Sequence, residues 1–304
     1  MKKIVSLIIL ILIIISFSFF VYKKSGGITA PDSRLSVTAS FYPMYFFTSE
    51  IGGNKVNVIN ITPAGAEPHD YDLTPQNIIQ IQESKLLVLN GNVEPWQNKI
   101  KQNLTGKEVQ ILTAGENLTT SQIEENGVLS VDPHVWLSPK LAKVESEKIE
   151  QTLVKINPIN ADYYKSNLDN LENQLDTIDQ NYKTGLSNCI TRSFVTSHAA
   201  YGYLSKDYGL TQIAIDGLSP DAEPSLQQLA QITDFAKKNN VKVIFFEALV
   251  SPKLSETIAN EVGAKSMVLD PIEGISDTDL SKGVNYLTLM DTNLQNLRTA
   301  LSCK

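Results

Sequence analysis

The chain has 304 residues, 42% of them hydrophobic and 19% charged, which is enough to bury one large core or two medium ones and too apolar for a disordered chain. The formal charge is −7, but Lys2, Lys3, Lys23 and Lys24 flank an N-terminal apolar run; the remainder carries 22 basic against 33 acidic residues, a net −11, with three arginines in all. A body of that sign repels phosphate backbones, which excludes nucleic-acid binding.

Residues 4–21 are apolar except for Ser6, Ser16 and Ser18, and as a helix they would span roughly 27 Å, close to the thickness of a bilayer. With Lys2 and Lys3 ahead of it, the segment 1–28 reads as a secretory signal or a signal-anchor followed by the start of a linker. No A-x-A cleavage site is present, and Lys23 and Lys24 follow a run longer than a usual signal core, which favours a retained anchor. A lipid-anchored precursor would need a Cys just after the run, whereas the only cysteines are Cys189 and Cys303. The body is expected outside the cytoplasm, in a periplasm or at a cell surface. In that oxidising setting Cys189 and Cys303 are expected to pair, two free thiols being the other reading.

After the linker at 25–34, strands are expected over 35–39, 56–61, 86–90 and 109–112, alternating with helices near 44–51, 75–83 and 95–103. Tyr164, Leu168, Leu171, Leu175, Ile178 and Tyr182 then form one apolar stripe at 4-3-4-3-4 spacing, which predicts a single helix over about 160–186. The second half repeats the alternation, with strands near 193–196, 212–215, 241–246 and 266–269 and helices near 199–208, 225–239, 252–262 and 280–301. Alternation of this kind argues for an α/β protein of two lobes, each a parallel sheet flanked by helices. The lobes are placed at 29–158 and 188–304, joined by the long helix at 159–187. Thr74-Pro75, Ser138-Pro139 and Ser251-Pro252 read as capped helix starts, with Pro where a missing N–H costs nothing.

The chain has only three histidines. His69 lies in a Pro/Gly-rich loop after the second strand, His134 in a loop before a capped helix, and His198 at the end of the strand at 193–196. None falls on a buried helical face. Ligands of parallel α/β sheets bind outside the carboxyl ends of the strands, where His69 and His198 fall, and Asp270 ends the strand at 266–269 in the same way. Three imidazoles and one carboxylate from separate loops suit tetrahedral Zn²⁺, although Cu²⁺ and Ni²⁺ also favour imidazole and Mn²⁺ more often takes extra carboxylates.

Several motifs carry a specific resemblance: Ala39-Ser40-Phe41-Tyr42-Pro43, Glu67-Pro68-His69-Asp70, Asp132-Pro133-His134-Val135-Trp136, Ser197-His198-Ala199-Ala200-Tyr201, Ser219-Pro220-Asp221-Ala222-Glu223-Pro224, and Phe245-Phe246-Glu247 through Ser251-Pro252-Lys253. They resemble, collinearly over 35–301, the cluster A-I solute-binding proteins of metal ABC importers. The resemblance implies two α/β lobes, a long connecting helix, one metal held in the cleft between the lobes, and a membrane permease as partner. His198 stands where zinc-uptake members have His and many manganese members Glu. The resemblance therefore implies the ligands His69, His134, His198 and Asp270 for Zn²⁺, with Glu67 as the alternative fourth ligand and Mn²⁺ as the alternative cargo. Glu247 is implied near the cleft, and Asp132, Asp70 and Asp72 are candidates to orient the imidazoles through their second nitrogens. A His-rich loop found in many zinc-uptake relatives is absent, its place at 118–131 being short and acidic.

These features point to a monomeric extracytoplasmic zinc-binding protein that delivers its ion to a permease. A zinc hydrolase with Glu67 or Glu247 as base is the competing reading, but no His-Glu-x-x-His pattern is present and a fourth protein ligand closes the position a catalytic water needs. A surface adhesin has no feature of its own in the sequence. Imidazole ligation predicts that binding weakens below about pH 6.

Overall fold

The computed structural model describes residues 34–125, 128–218, 225–249 and 251–304. The apolar N-terminal run and the segment carrying the Ser219–Pro224 motif lie outside the described residues.

Four strands, β1 (Leu35–Ala39), β2 (Val56–Asn60), β3 (Leu86–Leu89) and β4 (Gln110–Thr113), form a parallel sheet of order β2-β1-β3-β4. Helices α1 (Tyr42–Gly52), α2 (Pro75–Glu83) and α3 (Gln97–Asn103) connect them. Leu86, Leu87, Val88 and Leu89 are all fully buried, because helices cover both faces of a parallel sheet and leave no polar side. A second parallel sheet is built from β7 (Ser193–Thr196), β8 (Thr211–Ala214), β9 (Val243–Phe246) and β10 (Lys265–Val268), in the order β10-β9-β7-β8. Its helices are α6 (Gly202–Tyr208), α7 (Leu226–Lys238) and α8 (Lys253–Val262). Counted from its own first strand, each sheet has the same order, 2-1-3-4, so each has a switch point between its first and third strands. Connections diverge there and leave a crevice at the carboxyl edge.

Between the sheets, α4 (Pro139–Ile156) runs beside α5 (Ala161–Gly185). The 25 residues of α5 make it roughly 37 Å long. All six residues of its apolar stripe are buried, in a cluster that also contains Val37 and Phe47 from the first half and Phe194 and Phe245 from the second. This helix therefore supplies core to both halves. Among the described residues no helix is long and apolar enough to cross a membrane.

The caps at Thr74 and Ser138 form as expected, accepting from Asn77 N and Leu141 N with Pro at the helix start. The third expected cap does not: α8 begins at Lys253 with Pro252 preceding it and no side-chain cap bond. The helix expected over 280–301 is two, α9 (Asp277–Ser281) and α10 (Tyr286–Leu301), because Gly283 turns the chain at φ +80 between them. The acidic stretch at 118–131 contains an antiparallel pair, β5 (Gln122–Glu125) with β6 (Val128–Val131). Cys189 and Cys303 are bonded.

Glu145 on α4 is fully buried, and neither carboxylate oxygen has a partner among the described residues. Burial pushes its pKa from 4.5 up to about 8, with attraction from Lys148 working against it and repulsion from Glu94 adding to it. The folded state thus keeps a proton that the unfolded chain releases above about pH 4.5, so stability falls as pH rises toward 8. Glu145→Met removes that penalty and is expected to stabilise by on the order of 3 kcal/mol more at pH 8 than at pH 5. Urea unfolding of metal-free protein at the two pH values checks it; an equal effect at both would show that Glu145 does not titrate this way.

Candidate metal centre

Each histidine is delivered by a segment whose local chemistry is legible. His69 follows β2 in a loop shaped by Pro63, Gly65 (φ +77) and Pro68. His134 follows β6 and opens a short 3-10 turn, Val135–Leu137, in which all three residues are buried. His198 ends the first strand of the second sheet, beside that sheet's switch point, and Glu247 ends the third strand on the other side. The His198 carbonyl accepts from Thr196 Oγ1 and Gln212 Nε2, at 2.9 and 2.8 Å, which fixes the backbone there.

The three imidazoles converge with Glu273, and one donor atom from each of the four lies within 4.8 Å of all the others. Glu273 Oε1 is 3.3 Å from His69 Nε2, 3.2 Å from His134 Nε2 and 3.5 Å from His198 Nε2, and the last two nitrogens are 3.2 Å apart. Four donors around a zinc ion at 2.0–2.1 Å would lie roughly 3.3–3.4 Å from one another at the corners of a tetrahedron. The four measured edges fall around that value. His134, His198 and Glu273 are buried, and the His69 side chain is 8% exposed, so the group opens to solvent chiefly beside His69.

Two further carboxylates set the tautomers. Asp132 Oδ1 accepts from His134 Nδ1 at 2.9 Å and from the same residue's N–H at 3.0 Å. Glu247 Oε1 lies 2.6 Å from His198 Nδ1 and also receives Ser197 Oγ. With the hydrogen on Nδ1, each Nε2 turns its lone pair to the centre. Burial alone would lower the pKa of His198, but the adjacent Glu247 and Glu273 carboxylates carry it well above the ordinary value. For His134 the hydrogen bonds to Asp132 and Glu273 likewise outweigh burial, and the balance is upward. Glu273 is itself held well below the usual carboxylate range, because the attraction of His198 and the bond to His134 overcome its burial. A cation taken up here would have to displace protons from these imidazoles, so loss of affinity on acidification is expected to begin above the pH 6 of free imidazoles.

Asp270, expected as the fourth donor, does not join the group: the structure brings Glu273 to the imidazoles. Asp270 Oδ1 instead accepts from Ile272 N at 2.7 Å, a local turn bond. Glu67, the alternative, accepts from His69 N at 3.2 Å, and burial followed by repulsion from Glu273 pushes its pKa up to about 9. It is not among the four grouped donors. Asp72 is exposed. The signal for Glu273 was present in Asp270-Pro271-Ile272-Glu273, which offers two carboxylates three residues apart. The strand-end rule selects the first. Nothing in sequence marks the turn that presents the second, because Ile272 takes φ +60, a conformation for which a β-branched residue is a poor candidate.

Comparisons with known proteins bear on this geometry. A family described as "ZnuA: Zinc-uptake complex component A periplasmic" matches residues 37–300. The high-affinity zinc uptake system protein ZnuA of Bacillus subtilis is 38% identical over 294 residues, covering 93% of this chain and 92% of that one. The zinc-binding protein AdcA of Streptococcus pyogenes is 35% identical over 312 residues, covering 96% of this chain, which spans 61% of that relative's length. The crystal structure of the Zn(II)-bound ZnuA-like domain of Streptococcus pneumoniae AdcA superposes with a TM-score of 0.76 at 38% identity, covering 88% of this chain and 99% of that domain.

Proposed function

Because this chain belongs to the ZnuA family of periplasmic zinc-uptake components, we propose that it is an extracytoplasmic solute-binding protein that captures Zn²⁺ on His69, His134, His198 and Glu273 and delivers it to the permease of a metal ABC importer. The observation that carries this reading is the spacing of the donor atoms: four edges of 3.2–3.5 Å, with all four donors within 4.8 Å of one another, fit a tetrahedron around a small cation. Three neutral imidazoles with one carboxylate favour Zn²⁺ over Mn²⁺, which prefers more oxygen donors and a higher coordination number. The ion is cargo. With four protein donors no position remains for an activated water, which supports binding rather than hydrolysis. Lobes at 29–158 and 188–304, joined through the long helix, would enclose the ion as a monomer, with residues 4–21 serving as export signal or retained anchor.

A competition titration tests the assignment. Metal-free protein is expected to bind one Zn²⁺ and to retain it against a hundredfold (about 2.7 kcal/mol) excess of Mn²⁺. Affinity should rise with pH through the neutral range as the imidazole protons leave, and each Zn²⁺ bound should release protons measurable by calorimetry in buffers of different ionisation heat. Preference for Mn²⁺, or absence of saturable binding, would overturn the reading.

A further inference from the structure

The turn that carries Glu273 is held in a conformation its sequence resists. Ile272 is fully buried with φ +60. The other non-glycine residues with positive φ among the described residues are Asn92, Asn117, Asn240 and Ser302, small polar residues that take this conformation more readily. A buried β-branched residue there persists only where its surroundings over-determine it. Three ties do so. Asp270 Oδ1 accepts from Ile272 N at 2.7 Å. The Asn293 amide on α10 clamps the Asp270 backbone, accepting from its N–H at 2.9 Å and donating to its carbonyl at 2.6 Å. Trp136 Nε1 donates to the Pro271 carbonyl at 2.8 Å.

The last tie differs in kind from the other two. Asp270 and Asn293 belong to the same half as the turn, whereas Trp136 comes from the first half. It sits two residues beyond His134, its ring centroid 5.1 Å from that imidazole. Trp136 is itself fixed, since its carbonyl accepts from Tyr286 Oη at 2.5 Å and its ring meets Phe41 edge-on at 5.0 Å. One indole N–H thus bridges the loop of one ligand to the turn of another across the two halves. A motion that parts the halves at this point loads this bond together with the Tyr286 Oη bond to the Trp136 carbonyl.

We infer that Trp136 and Asp270 are positioning residues that hold the Ile272 turn against its own backbone preference, so that Glu273 keeps its grip on the cation only while the two halves are engaged. When the indole leaves the Pro271 carbonyl, Ile272 relaxes to negative φ and carries the Glu273 carboxylate away from the three imidazoles, opening the site for release. The inference rests on Glu273 being a ligand. It also gives Asp270 a role that depends on an acceptor oxygen and not on its charge.

Release of Zn²⁺ from loaded, full-length protein into excess EDTA, followed by stopped flow, tests this. Trp136→Phe keeps the ring and removes the N–H; Asp270→Ala removes the acceptor. Each is expected to speed release about tenfold, the effect of losing roughly 1.4 kcal/mol of hold. Asp270→Asn retains an Oδ1 acceptor and should stay within about threefold of wild type, a difference under about 1 kcal/mol. The deciding variant is Trp136→Phe combined with Ile272→Gly: glycine takes positive φ without strain, so the turn no longer springs and the rate should return to within about threefold of wild type. Should glycine leave too large a hole to fold, Ile272→Asn supplies a second residue tolerant of that conformation. Unchanged release in Trp136→Phe, no recovery in the double variant, or Asp270→Asn as fast as Asp270→Ala would each overturn the inference. Glu273→Gln separates the two levels. If it leaves Zn²⁺ affinity intact, the ligand assignment has failed; if it weakens binding while Trp136→Phe releases at the wild-type rate, only the sprung turn has.

Discussion

His198→Ala is expected to weaken Zn²⁺ binding by about 10³-fold, a loss of roughly 4 kcal/mol. Zinc sites of four protein donors are worth about 10–16 kcal/mol at neutral pH, or about 2.5–4 kcal/mol per donor when shared equally. His198 should lie at the upper end of that share, because its removal does two things. It deletes a donor whose Nε2 is 3.2 Å from that of His134 and 3.5 Å from Glu273 Oε1, and it strands the buried Glu247 carboxylate that was bonded to its Nδ1. A buried carboxylate that loses its cationic or N–H partner must take up a proton or admit water. Competition against a chromophoric chelator measures the effect, with the thermal midpoint of metal-free protein as control for folding. Affinity within about threefold of wild type, under about 1 kcal/mol, would remove His198 from the site.

Replacing both Cys189 and Cys303 by Ser is expected to cost about 4–5 kcal/mol of stability while leaving Zn²⁺ affinity within about threefold, under about 1 kcal/mol. The two cysteines are 114 positions apart, so the bond closes nearly the whole second half into one loop and restricts its unfolded ensemble strongly. In the fold it joins the end of α10 to the segment entering β7, where Lys304 N also donates to Asn188 O and Thr191 N to Leu301 O. Through α10 it supports Asn293, and hence the Asp270 backbone, at a distance that should weaken any effect on the site. Calorimetric unfolding with and without reductant should show a fall of about 10 °C or more in the midpoint, given a few degrees per kcal/mol for a domain of this size. A fall under about 3 °C would mean that the closed loop contributes little beyond the packing of α10.

The parts of this protein readable from the chain are those set by local periodicity and by scarcity. The alternating strands and helices place both sheets to within a few residues, since Leu86, Leu87, Val88 and Leu89 can be so apolar only where both faces are covered. The stripe on α5 was legible because six apolar residues at helical spacing admit one buried face. His69, His134 and His198 were legible as a set because they are the only histidines and all fall in loops or at a strand end. Structure and sequence pattern part where the chain turns. Gly283 splits the last helix, Pro252 leaves Ser251 outside α8, and Ile272 redirects the chain after β10.

The sequence by itself thus determined the α/β class, the doubled sheet, the long helix and three of the four donors, because hydrophobic pattern and residue chemistry act over a few neighbouring positions. Only the tertiary structure brings a fourth, Glu273, beside the three imidazoles. Asp270 and Glu273 are equivalent carboxylates in sequence; against the turn between them stand Trp136, 135 positions from Pro271, and Asn293 on α10. The positive φ at Ile272 goes with one local bond, from its N–H to Asp270 Oδ1, and with these distant ones. Those distant groups meet only in the folded chain, so no pattern over neighbouring positions singles out Glu273.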